Sequence, residues 1–383
     1  MDAWMYYLFM SLLCVAVLAL AAIVVEWLCR FCLRNILRRY SNMPNSRIIF
    51  SVNERLRHWL PAQVEYAVNR EGERGLPLPK VDSYYRVLLS GGSAAECGLL
   101  SWKDSIGGHL ETLLSVPDAC ASLGVEAAHV GVIAHSQLDA HGIVFILKNI
   151  LPYYRSLDMV ILLTGHSDVA LWLEAGAPTG AAAPSVDKSD EWLLNYPEMR
   201  FRVNRPAIYL ILKRVWIYYF GKTVIHANAG RHIAEEMEFR SRAMPHVNVD
   251  SDPSVMVRVY KQNLRSAVDI ARRHAKRVIL VRQYWFDESA LAPQDRPLLW
   301  QGRLGSPKAP SPPKFIKRSQ MIDLYRLVGQ ATQEVANECG VECVNLVNNL
   351  EPREGTFYDG THFAPEGGRQ TAEVIAKAIL GRA

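Results

Sequence analysis

The chain has 383 residues, half of them hydrophobic and 21% charged, with a formal net charge of +5. That length holds one large or two ordinary domains, and the composition is that of a globular protein. The charge excess is small and no basic stripe is interleaved with aromatics, which argues against nucleic acid as a partner.

Residues Ala3 to Val25 carry no charge. At 1.5 Å per residue this run crosses a bilayer core of about 30 Å. A cleaved signal peptide would start with basic residues and have a shorter apolar core. Here the start is Met1-Asp2, and the run continues past the small-residue site Ala19-Leu20-Ala21, so a retained anchor is expected. Arg30, Arg34 and Arg38 then share one helical face, with Trp27, Leu28 and Phe31 suited to the interface. Residues 1–40 therefore read as a transmembrane anchor continued by an interfacial helix. Four arginines (30, 34, 38 and 39) follow the span and no basic residue precedes it. By the positive-inside rule the rest of a single-pass membrane protein lies in the cytoplasm.

Residues 41–80, rich in Pro, Asn and Arg and ending in Gly75-Leu76-Pro77-Leu78-Pro79-Lys80, read as a linker. Residues 81–383 read as one domain. Five β-rich runs, Arg86–Ser90, Ala127–Ile133, Asp158–Thr164, Arg277–Arg282 and Val341–Leu346, alternate with helical stretches. Continuous apolar runs separated by amphipathic helices predict a five-stranded parallel sheet covered on both faces. The expected fold is a three-layer α/β/α sandwich of flavodoxin type. Helical faces follow from Leu324, Val328, Ala331 and Val335, and from Ala372, Ile375, Ile379 and Leu380 before Gly381. An insertion falls at about 170–255. It holds a Gly/Ala/Pro tract, Glu174–Ser185, and an apolar run, Ile208–Phe220, with Lys213 and Arg214 at its centre. Those charges argue against a second span and leave two readings, a helix packed on the core or one lying on the bilayer beside the anchor. Leu291–Lys314 contains six prolines and reads as a loop or lid on the side where the strands end.

In such sheets ligands bind at the carboxyl ends of the strands. The first β run ends in Gly91-Gly92-Ser93, and the turn Asp359-Gly360-Thr361-His362 precedes a helix opened by Pro365. The Asp-x-x-His spacing lets the carboxylate reach one imidazole nitrogen and leaves the other for a serine. Each piece alone has an ordinary reading as a turn. Together they predict the catalytic set Ser93, His362 and Asp359. His135 and His166 read as polar loop residues, and Asp168 as a residue that fixes its loop. The seven cysteines show no disulfide framework; Cys29-x-x-Cys32 has no second pair, and neither a metal nor a cofactor site emerges.

These residues resemble the SGNH/GDSL hydrolase family. Gly91-Gly92-Ser93 matches its first block and Asp359 with His362 its last. Gly165-His166-Ser167-Asp168 matches the third block, G-x-N-D, with serine in place of the asparagine that helps bind the oxyanion. Ala134, in Gly131-Val132-Ile133-Ala134-His135-Ser136, aligns with the glycine of the second block. The resemblance covers roughly residues 81–383. It implies an oxyanion hole made by the N–H groups of Ser93 and Ala134 and the Ser167 hydroxyl. It also implies a serine esterase acting on acyl, above all acetyl, esters of a glycan or lipid-linked substrate, with a membrane-bound acyltransferase as a partner. The alternatives are an O-acetyltransferase acting on a polysaccharide and a catalytically impaired membrane scaffold. Anchored relatives work on exported glycans, so the resemblance implies an extracytoplasmic domain where the charge bias implies a cytoplasmic one.

Overall fold

The computed structural model describes residues 3–37, 39–81, 83–154, 156–179, 206–242, 246–285, 301–306, 313–350 and 355–381. It opens with a long helix, α1 (Ala3–Leu37), followed by β1 (Ser46–Val52) and β2 (Gln63–Ala67). Next come β3 (Tyr84–Gly91), a single turn α2 (Ser93–Glu96), α3 (Ile106–Leu114), α4 (Pro117–Leu123) and β4 (Ala127–Val132). α5 (Ala140–Ile150), β5 (Leu157–Thr164) and α6 (His166–Glu174) lead to α7 (Ala207–Phe220), β6 (Lys222–Ala229) and α8 (Arg231–Arg242). α9 (Ser254–Arg272) and β7 (Ala275–Arg282) follow, then the short pair β8 (Arg303–Leu304) and β9 (Lys314–Phe315). α10 (Arg318–Cys339), β10 (Glu342–Asn345) and α11 (Pro365–Ile379) complete the chain.

β10, β7, β5, β3 and β4 lie in that order in one five-stranded sheet, every pair parallel. These are the five runs read from the sequence. Successive strand residues serve opposite faces, as the strand period of two requires. Leu89, Val130, Ile161 and Val281 pack with Leu110 of α3 and Ile375 of α11, whereas Leu88, Val160, Leu162 and Leu280 pack with Ile143, Leu264 and Val328 of α5, α9 and α10. The result is the expected three-layer α/β/α sandwich. α1 carries a stretch, Trp4–Leu33, long and apolar enough to be a membrane span or a signal sequence.

A second sheet was not foreseen. β1 pairs antiparallel with β2 and parallel with β6, in the order β2-β1-β6. Residues 41–80, expected as a linker, thus supply two strands, and the insertion supplies the third. The signal in the sequence was the alternation in Gln63–Ala67, where Val64 and Tyr66 are buried and Gln63 is exposed. The expected lid falls partly outside the described residues; within them, β8 and β9 pair antiparallel, and Gly305 N–H donates to the Leu173 carbonyl.

Buried charges fasten this added sheet to the main one. Arg74 and Val132 exchange backbone hydrogen bonds of 2.9 and 3.0 Å, which covers the edge of β4. Beside them Glu73, fully buried, meets His129 Nε2 at 2.9 Å, Asn69 Nδ2 at 3.1 Å and Arg86 Nη2 at 3.1 Å. His129 Nδ1 faces Glu111 at 3.2 Å. A side chain at Gly131 would start 2.4 Å from the Glu73 carboxyl carbon, so only glycine admits this cluster. The Arg74 guanidinium donates to the carbonyls of Glu96, Cys97 and Leu100, just past Ser93, and lies over the Tyr66 ring.

Burial alone would raise the Glu73 carboxyl, but the hydrogen bond and charge of His129 and the charge of Arg86 hold it below the usual carboxylate range. Burial would likewise lower His129, yet Glu111 and Glu73 hold its proton well above the ordinary 6.5. The signs fix the pH response. Glu73 contributes stability above its ordinary 4.5 and loses it as pH falls through the depressed value. His129 contributes fully below 6.5 and loses it as pH rises through the raised value. The thermal midpoint should therefore decline as pH rises from about 6.5 toward 9, with His129→Gln flattening that decline. Melts at stepped pH check this; a wild-type midpoint level from about pH 6.5 to 9.5 would contradict it.

Candidate active site

β3 delivers the serine. A side chain at Gly91 would begin 2.0 Å from the Leu163 carbonyl oxygen of β5, and one at Gly92 would begin 2.6 Å from Ser167 Oγ. The two glycines let β3 and β5 end side by side, so Ser93 and Ser167 emerge together from adjacent strands. Ser93 opens the single turn α2, which Cys97 closes in the left-handed conformation at φ 49°.

The loop before α11 delivers the base. Asp359 is buried, and its Oδ1 accepts the N–H groups of Thr361 and His362, each at 2.8 Å. Its Oδ2 lies 2.6 Å from His362 Nδ1, and His362 Nε2 lies 2.6 Å from Ser93 Oγ. With Nδ1–H donating to the carboxylate, Nε2 is the acceptor for the serine proton. The turn is clamped from outside. Tyr358 N–H donates to the His362 carbonyl and Ala364 N–H to the Thr356 carbonyl. The Tyr358 ring lies parallel to the imidazole, at 5.5 Å and 8°. At Gly367 a side chain would begin 2.0 Å from the Thr356 oxygen, so α11 presses directly on the loop.

Two clefts meet at Ser93 and His362. One, of about 330 Å³, is lined by Ala94, Ala170, Leu171, Leu173 and Tyr325 with Ser167 and His166. The other, more open and about 730 Å³, is lined by Phe50, Tyr66, His226, Asn228 and Tyr358. Its far wall is the unforeseen sheet. A larger cavity of about 1000 Å³ surrounds Arg86, Asp158 and Lys276 at the opposite ends of the strands and contains none of the three predicted catalytic residues.

Of the predicted site residues, Ser93, His362 and Asp359 come together, and Ser167 stands beside them. Ala134 does not. It is fully buried beyond the end of β4, packs in the core and lines neither cleft. Hydrogen bonds alternate along this edge: Ile133 N–H and His135 N–H donate to Leu89 and Gly91 of β3. The residue between them is therefore turned away from that neighbour. Gln137, at φ 61° and just past that block, lines both clefts. Asp168 accepts the Ala140 N–H at the start of α5, fixing the loop as expected. His135 Nε2 lies 2.7 Å from Ser41 Oγ, also a loop role.

His166 is less ordinary than its sequence reading. It is buried, stacks on Tyr325 at 3.9 Å, and lines the smaller cleft. Burial first, and then the nearby His362, pushes its pKa down to about 3, so it is neutral at physiological pH. His232 of α8 lines both clefts and is lowered by burial and by His362. Sequence reading missed His232 because the insertion carries no motif. Only the three-dimensional return of β6 and α8 brings it here.

No family model matches the chain, and no curated protein does. Among solved structures, a catalytic mutant of an acetylxylan esterase from Geobacillus stearothermophilus is similar at 13% identity, covering 79% of this chain and 97% of that one, with a TM-score of 0.41. A lipolytic G-D-S-L family protein from Veillonella parvula gives 9% identity, 78% and 100% coverage and a TM-score of 0.39. A lipase/acylhydrolase from Enterococcus faecalis gives 14%, 78% and 96%, and 0.38. Likeness at this level says nothing of the reaction, which has to be read from the site itself.

With its tautomer set by Asp359, His362 can take a proton only from the serine side. Asp359→Asn should leave the loop in place but slow covalent labelling of Ser93 by a fluorophosphonate, by roughly 10⁴-fold. Labelling kinetics with matched melting curves measure this. An unchanged rate would mean that the carboxylate does not orient the imidazole.

Proposed function

We propose that the chain is a membrane-anchored serine esterase of the SGNH type. The observation that carries this reading is the unbroken line of short hydrogen bonds from Asp359 through His362 to Ser93. It ends in a cleft at the carboxyl ends of a parallel sheet, where such folds bind ligands. Ser93 Oγ attacks an ester carbonyl while His362 Nε2 takes its proton, and Asp359 supports the imidazolium. The proton then passes to the departing alkoxide, and water, activated by the same nitrogen, releases the acid.

The carbonyl oxygen gains negative charge in the transition state, so donors aimed at it matter most. Ser93 N–H, the Ser167 hydroxyl and the Gln137 N–H are the donors assigned here, Gln137 replacing Ala134 for the geometric reason given above. A neutral His166 adds no positive charge beside the imidazolium of His362. The smaller, apolar-walled cleft suits a short acyl group, and the open cleft suits the alcohol. An acetyl ester of a glycan or of a lipid-linked sugar is the assigned substrate class, and a membrane-bound acyltransferase that makes such esters is the partner it implies.

Ser93→Ala should abolish fluorophosphonate labelling and reduce p-nitrophenyl acetate turnover to near background. In enzymes with this triad the loss is on the order of 10⁶ in kcat. Equal turnover by the variant would remove the assignment.

The reading includes α1 as a retained span with the catalytic domain on the cytoplasmic side, because the arginines lie after the span and none before it. A reporter fused after Ala383 should give fluorescent-protein signal without alkaline phosphatase activity. The reverse pattern would place the domain outside and make an exported glycan the substrate.

A further inference from the structure

The outer face of α7 is a broad apolar surface with no cover among the described residues. Ile208, Leu212, Val215 and Tyr219 recur at steps of four, three and four, and with Trp216 and Phe220 they are 49–71% exposed. Such a stripe normally faces a core. Here the opposite face is the one packed inside, with Ala207, Leu210 and Ile217 buried. A soluble protein rarely exposes so many large apolar side chains in one patch.

The placement of α7 says what covers it. Its first N–H, on Ala207, donates to Glu26 Oε2 of α1 at 2.6 Å, and Glu26 Oε1 pairs with Arg30 at 2.7 Å. At its other end Asn45, just past α1, donates to the Tyr218 carbonyl and accepts the Lys222 N–H. α7 therefore runs alongside the last part of α1. The apolar stretch Trp4–Leu33 has 30 residues, about 45 Å of helix against a hydrocarbon core of about 30 Å. The surplus is the part that α7 accompanies. Trp27 and Phe31 of that surplus are 66% and 57% exposed and stack on each other. Together with Trp216, Tyr219 and Phe220 they give an aromatic population of the kind that settles at a membrane–water interface.

We propose that the outer face of α7 is a second membrane contact, seated in the interfacial layer of a lipid bilayer beside α1; this rests on α1 being the retained span. α7 packs against α1, whose exposed side chains meet lipid in that reading, so lipid is the occupant assigned to both. The contact also sets the height of the active site. β6 begins at the end of α7, and its far end leads into Arg231 and His232 at the open cleft. The cleft wall on this strand begins at His226, four residues past Lys222, about 13 Å along the strand.

Photoreactive p-benzoylphenylalanine placed in the full-length chain, in membranes, tests this at Leu212 and at Tyr219, with Leu327 on α10 as a site remote from lipid and Leu18 in α1 as a site within the span. Lipid adducts at 212, 219 and 18, and none at 327, are expected by mass spectrometry. Adducts of 212 and 219 with a second copy or another protein, or no lipid adduct there while Leu18 gives one, would overturn the contact and leave the anchor standing. Failure at Leu18 as well would remove the anchor and the contact with it.

Discussion

The Asp359 carboxylate organises the loop that carries His362. One of its oxygens takes the backbone N–H groups of Thr361 and His362, which closes the turn, and the other takes the His362 ring, which aims it. Turn and imidazole are therefore fixed by one group, three residues from the base it serves. Buried from water, the carboxylate keeps its hydrogen bonds strong and its geometry narrow. Everything needed to activate Ser93 depends on where this loop rests. The loop in turn rests on α11, held close by Gly367, and on the aromatic pair Phe357 and Phe363, 5.2 Å apart in the core.

The serine side is held by crowding where the base side is held by hydrogen bonds. Gly91 and Gly92 allow β3 to pass against the Leu163 carbonyl and Ser167, distances that no side chain would tolerate. From the other direction, Arg74 ties the turn after Ser93 to the added sheet and to the edge of β4. That sheet is more than an appendage to α1. It forms a wall of the open cleft, and the segment that follows β2 bridges the edge of the main sheet at Val132.

Much of this was legible in the sequence, for identifiable reasons. The five strands are continuous apolar runs because a parallel sheet is buried on both faces, and burial leaves that imprint whatever the neighbours are. Ser93, His362 and Asp359 were legible because short-range chemistry, a glycine turn and an Asp-x-x-His spacing, restricts the residue types that serve. That Ala134 packs in the core could not be read from the sequence, because a backbone N–H leaves no trace in residue identity and its direction depends on strand register. The sheet β2-β1-β6 was missed because its strands are partly exposed and β6 lies far along the chain from the other two, so only pairing across the fold reveals them. His232 was hidden by the same long-range geometry.

The central claim is that Ser93 becomes covalently acylated through His362. The most direct measurement is mass spectrometry of the protein quenched during turnover of a slowly hydrolysed acetyl ester, followed by peptide mapping. The account predicts one acetyl group on the peptide carrying Ser93, accumulating faster than it is released when deacylation is slowed. An acetyl group confined to another residue, such as Ser136 or His232, or turnover without any acylated protein, would contradict it.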